Sequence, residues 1–156
     1  MRVRKALEDD VAACVDLVEA RREQYERYEP RFWKKAAGSA RMSRMWFAHL
    51  FAQTDNVALV AEEAGRIVGF IVATNYPAPP VFDPGGRNAL IDDFVVIDDD
   101  RWADVGAALF AACREALKVL GFAQIVVVGA AKDAAKTAFL KATDLSLAST
   151  WWTAGT

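Results

Sequence analysis

A chain of 156 residues, 54% hydrophobic and 26% charged, is long enough to bury a core as one domain over residues 1–156 and too apolar to stay disordered. A formal charge of −2 argues against a nucleic-acid partner held by phosphate neutralisation. The polar start, Met1 to Asp10, is no secretory signal, and no apolar run approaches membrane-spanning length, so a cytoplasmic protein without a membrane partner is expected.

Arg2 to Ala6 reads as a short strand closed by Glu8, Asp9 and Asp10, acids suited to a helix start. Val11, Cys14, Val15 and Val18 then recur at helical spacing and mark a core stripe. Glu19, Glu23, Glu26 and Glu29 interleave with the basic residues of this region, as on a solvated face. Tyr25, Tyr28, Phe32 and Trp33 make an aromatic corner around Pro30. A second helix runs from about Ala40 to Gln53, with Met42, Met45, Trp46, His49 and Leu50 on one face. His49 is the only histidine, but no acid is placed beside it by spacing, so it is read as a packed or surface residue.

Asn56 to Ala61 and Ile67 to Thr74 read as strands joined by a hairpin turn at Gly65. Asn75 to Arg87 holds four of the five prolines and must be a stiff loop. Leu90 to Ile97 is a strand with two carboxylates inside it, Asp92 and Asp93, where charge is costly without a purpose. An acidic loop follows, then a helix from about Asp104 to Leu120, ended by Gly121. A strand feeding a helix through a tight turn leaves backbone N–H groups at a positive helix end, which suits a phosphate. Gln124 to Val128 reads as a buried strand, Asp133 to Ala142 as a short helix, and Leu145 to Thr153 as a final strand carrying Trp151 and Trp152. Those tryptophans suit either a homodimer contact or the core. The cysteines, Cys14 and Cys113, fall on apolar helical faces and read as buried free thiols. The fold class is α/β (α+β): a mixed, mostly antiparallel sheet with helices on both faces.

This order resembles the GNAT superfamily of acyl-CoA-dependent N-acetyltransferases. The family's phosphate loop, Arg/Gln-x-x-Gly-x-Gly/Ala, is matched at its ends by Arg101 and Gly106, with Asp104 in place of the inner glycine. RIVGFIV, from Arg66, is similar to the family's third strand. LIDDFVV, from Leu90, is similar to the fourth and close to the pattern of the diamine acetyltransferase branch. Where the family carries Asn, then Phe-Tyr, then Gly-Phe, this chain has Asp133, then Phe139 and Leu140, then Asp144 and Leu145.

The resemblance implies acetyl-CoA with its pyrophosphate on the loop of Arg101, Trp102, Ala103, Asp104, Val105, Gly106 and Ala107. Its pantetheine arm would pair strand-like with Phe94, Val95 and Val96, and Asp133 takes the place of the family's Asn in the cofactor site. Asp104 must turn outward as a helix cap, with Arg101 offsetting its charge. Trp102 is placed to cover the adenosine end or simply to pack. Asp92 is assigned as the base, because strand alternation lets only one of the two carboxylates face a cleft unless a bulge intervenes. The family's tyrosine that protonates the departing thiolate is Leu140 here, which leaves water, Tyr76 or Tyr28 to replace it. The expected partner is a small amine or amino-acid-like acceptor, favoured as a cation by Asp83, Asp92, Asp93, Asp98, Asp99 and Asp100, with Tyr28, Trp33 and Tyr76 around it. The alternative is a non-catalytic module that binds acyl-CoA as a sensor or scaffold.

Overall fold

The computed structural model describes residues 1–156. Strand β1 (Arg2–Lys5) leads through a 3-10 turn into helix α1 (Val11–Tyr28). Asp10 does not cap that helix with its side chain; it accepts from Leu7 N–H at 2.8 Å and pairs with Arg4 at 2.7 Å, tying the turn to β1. Helix α2 (Ser39–Ala52) follows, then β2 (Val57–Glu63) and β3 (Arg66–Asn75), joined by a turn in which Ala64 and Gly65 both take positive φ, as a type I′ hairpin needs. Strand β4 (Arg87–Val96) enters helix α3 (Val105–Val119) through a second 3-10 turn; β5 (Phe122–Val127) and helix α4 (Ala134–Lys141) complete the order.

The sheet runs β1-β2-β3-β4-β5, antiparallel except for the parallel β4–β5 pair. Strand alternation sends Ile71, Ile91, Phe94 and Val96 to one face, where Leu109, Cys113 and Leu117 of α3 cover them. Val60, Phe70, Val72 and Val95 go to the other, under Cys14, Val15 and Val18 of α1 and Phe47 and Leu50 of α2. Both thiols are buried, and burial pushes each up to about 12. The face shared by Met42, Met45, Trp46 and His49 points outward, and His49 stacks on Trp46 at the surface.

Two expectations fail at the C-terminal end. Gln124 to Val128 is not a buried strand: β5 pairs on one side only and Val126 is exposed, because no later strand covers its outer edge. Leu145 to Thr153 forms no strand, and Trp151 and Trp152 are exposed rather than in the core. The segment makes no ladder to the free outer edge of β5, and without those bonds nothing holds it as a strand.

Candidate active site

The site begins with a miscount between two strands. Ile71 of β3 pairs with Phe94 of β4, and Ala73 pairs with Ile91, so Val72 alone lies opposite both Asp92 and Asp93. That is a β-bulge. Ile91 and Phe94 both stay on the α3 face, and the two residues between them turn the other way. Asp92 and Asp93 therefore line one cavity together, which alternation alone forbids.

Just past the bulge the sheet opens. The last bond between β5 and β4 runs from Val128 N–H to Ile91 C=O at 2.9 Å, and β5 then departs. Beyond it, Phe94 C=O faces the gap and accepts from Lys136 Nζ at 3.2 Å. Ile97 N–H points the opposite way, to Val68 of β3, so alternation gives the gap to Phe94 and Val96 and gives Val95 to β3.

The cavity at this opening holds about 450 Å³ between α1, the 32–36 segment, α2 and β4. Tyr25 and Trp33 form an aromatic wall, with ring centroids 5.2 Å apart. Asp93 is largely buried at 17% side-chain exposure, with Arg22 Nη2 at 3.8 Å. Burial first and Asp92 second push its carboxyl up to about 6. Asp92 is the more exposed of the two. Lys136 is 2% exposed, and burial lowers its ammonium to about 8 against the pull of Asp133, Asp92 and Asp93. Five basic side chains line this cavity, Arg21, Arg22, Lys34, Lys35 and Lys136, against the two aspartates. Asp83, Asp98, Asp99 and Asp100 do not line it, so the acidic cluster in sequence does not become an acidic cleft.

At the start of α3, Asp104 stays in place as the cap: its carboxylate accepts from Val105 N–H at 2.7 Å and from Arg101 at 2.8 Å. Arg101 also reaches Glu63 at 2.7 Å. Trp102 is no surface cover. It is 2% exposed, stacked on Phe139 at 5.3 Å and edge-on to Phe94 at 4.9 Å. Gly106 serves that packing, since a Cβ there would meet the Trp102 ring at 2.7 Å. Ala103 and Ala107 lie exposed on either side of Val105 and Gly106, which are buried.

Other expected residues fall elsewhere. Asp133 is 1% exposed, accepting from Lys136 N–H at 3.0 Å, Tyr25 Oη at 3.2 Å and Arg21 Nη1 at 3.3 Å; it caps α4, and its carboxylate is turned to donors of the protein. Tyr28 lies outside the cavity, its carbonyl holding Lys132 Nζ, and Tyr25 one turn earlier takes the wall position. Tyr76 N–H bonds Asn88 C=O, four residues before Asp92 and so about 13 Å down the strand, too far to reach the bulge. Leu140, on α4, is aliphatic and has no proton to give. Arg21 and Lys136 line the cavity beside Tyr25 of the aromatic corner, and neither stands out in the sequence as a site residue. A signal for them was present: Arg21 and Tyr25 continue the stripe of Cys14 and Val18, and Lys136 stands one helical turn before Leu140.

The family model described as "Acetyltransferase (GNAT) family" matches residues 15–142. The chain belongs to the GNAT family. It is accordingly an acyltransferase whose acyl donor is acetyl-CoA. A mutant of the BH1408 protein from Bacillus halodurans has a similar structure, with TM-score 0.85 at 16% identity over 100% of this chain and 99% of that one. A predicted acetyltransferase from Clostridium acetobutylicum, in a crystal structure with acetyl-CoA, gives 0.76 at 15% identity over 99% and 95%. Ribosomal-protein-alanine N-acetyltransferase from Brucella melitensis gives 0.64 at 16% identity over 99% and 100%. At such identities the likeness speaks for the fold. A search of curated proteins finds no match.

This GNAT chain has what a strand-like, oxygen-rich donor requires. Phe94 and Val96 turn backbone groups into the gap, and Trp102 Nε1–H is buried without an acceptor. The misfit is Asp104, a carboxylate at the helix end where an anion would sit.

Proposed function

We propose that this acyltransferase acetylates the amine of a small, amino-acid-like acceptor by direct attack, with the bulged carboxylate pair taking the amine proton. The observation that carries this reading is the bulge, which turns Asp92 and Asp93 into one cavity at the open edge of β4. Bound acetyl-CoA supplies the thioester carbonyl. Phe94 and Val96 would hold its arm by backbone groups, and the backbone N–H groups of the 101–107 loop its phosphate end.

Within the pair, Asp93 suits the base role better than Asp92. A carboxyl raised to about 6 accepts a proton near neutral pH and releases it afterwards, whereas an exposed aspartate sits in water. Asp92, nearer the mouth, would hold the incoming ammonium. Lys34 is exposed, lines the same cavity and has no carboxylate partner, so an acceptor carrying its own carboxylate is paired at both ends. A diamine would meet five basic side chains, which argues against the diamine branch. The test is CoA-thiol release from acetyl-CoA with free amino acids, their amides and diamines. Free amino acids should turn over faster than the amides, and diamines slowest. Equal rates for diamines and amino acids would reject the acceptor class, and no release with any amine would reject the reading.

A further inference from the structure

Lys136 is a buried cation without an ion pair, and the acetyl-transfer reading leaves it without work. It is 2% exposed, and Nζ makes a single hydrogen bond, to Phe94 C=O at 3.2 Å. No carboxylate lies within ion-pair distance, so two of its three N–H donors have no acceptor. A buried ammonium with spare donors costs stability. The faces of Phe94 and Trp102, 5.6 and 5.7 Å from Nζ, favour its charged form.

Its place in the fold gives those donors a use. Lys136 and Leu140 share one face of α4, and both reach Gly129 at the end of β5: a Cβ there would stand 3.6 Å from Lys136 Cδ and 4.0 Å from Leu140 Cδ1. Nζ enters the gap between β4 and β5 one residue past Asp93. A thioester whose acyl end faces Asp93, and whose tail follows the edge at Phe94 and Val96, carries its sulfur past this point.

We propose that Lys136 is the acid that protonates the departing CoA sulfur, in place of the hydroxyl that Leu140 cannot supply. The inference rests on the acetyl-transfer reading. The amine nitrogen bonds to the acyl carbon, the C–S bond breaks with its electron pair on sulfur, and Nζ gives that sulfur a proton. Of the two protons the ammonium acceptor loses, Asp93 passes one to solvent and the other restores Nζ. An ammonium near 8 and a thiol differ little in proton affinity, so the transfer is close to balanced. The groups facing Nζ are Asp92 and Asp93 from β4, Arg21 and Tyr25 from α1, and Asp133 at the start of α4. Asp93, at about 6, loses its proton below the range in which Nζ, near 8, gives up its own.

The test titrates CoA bound to the intact protein by the ultraviolet absorbance of its thiolate, beside kcat profiles, for wild type, Lys136→Arg and Lys136→Met. Wild type should bind CoA with a lowered thiol pKa and lose kcat as pH rises through about 8. Lys136→Arg should keep the lowered thiol pKa, because the charge remains, yet lose about a hundredfold in kcat together with the alkaline limb. Lys136→Met should return the thiol to its free value or above. A bound thiol that titrates alike in wild type and Lys136→Met overturns the role of Lys136 while leaving acetyl transfer intact. Wild type that fails to bind CoA overturns both.

Discussion

At Asp93 stability and chemistry pull in opposite directions. Its carboxyl is raised from 3.8 to about 6, so the folded protein holds a proton that the unfolded chain has released between those values. The group's contribution is therefore most favourable below pH 4 and is lost as pH rises through 6, at a cost of up to about 3 kcal/mol above that. Asp93→Asn should be more stable than wild type by up to that amount in urea melts at pH 8, and no different at pH 4. The same substitution should lower kcat/KM by about a hundredfold or more and remove the acid limb near pH 6, if Asp93 accepts the amine proton. Asp92→Asn, at the exposed partner, should shift KM for the acceptor more than kcat. The two aspartates were legible in the sequence as charge where a strand does not want it. That both face the cleft was not, because the bulge is set by pairing with Val72 of another strand.

The start of α3 shows what a motif can and cannot say about an element. Small residues and a short acidic loop did mark a helix end beside a strand, and the helix begins at Val105. The role of each residue depended on distant packing: Gly106 makes room for Trp102, and Trp102 is held by Phe139 of α4. Asp104 does both things expected of it, capping the helix and pairing with Arg101, and its charge nonetheless remains at the helix end to which the proposed reading assigns the donor's phosphates. Asp104→Asn keeps a cap oxygen for Val105 N–H and removes the charge. Acetyl-CoA should then bind several-fold more tightly in calorimetric titrations at low salt, with the gain shrinking as ionic strength rises. Equal dissociation constants at all salt concentrations would mean that the phosphates lie away from this helix end. The absent final strand is the opposite lesson. Leu145 to Thr153 has strand composition, but composition does not bring it to the free outer edge of β5, and without that pairing it forms no strand.

For the molecule as a whole, the order of elements and the two-sided sheet were readable from periodicity, whereas the polar tie across its open edge was not. Arg21 of α1 reaches over the gap to Asp133 at the start of α4 and to Asp99 in the turn before α3, and Tyr25 Oη joins it on Asp133. These four residues lie as far as 112 positions apart in the chain, so no local pattern announces them. They connect the α1 side of the sheet to the α4 side where β4 and β5 no longer hold each other. Asp99 is half exposed and would be rehydrated if Arg21 were lost, but Asp133 is 1% exposed and would be left buried with its charge unpaired. Arg21→Ala should therefore cost about 3–5 kcal/mol. For a domain of this size each kcal/mol moves the melting temperature by about 2–4 °C, so a fall of about 10 °C is expected by calorimetry. Adding Asp133→Asn removes the stranded charge, keeps Oδ1 as the acceptor for the Lys136 N–H cap, and puts an amide N–H donor beside Tyr25 Oη, which can accept from it. The double variant should recover most of the loss. If the two losses simply add, the pair is not coupled and the sheet's open edge is held by packing of Trp102, Phe94 and Phe139 alone.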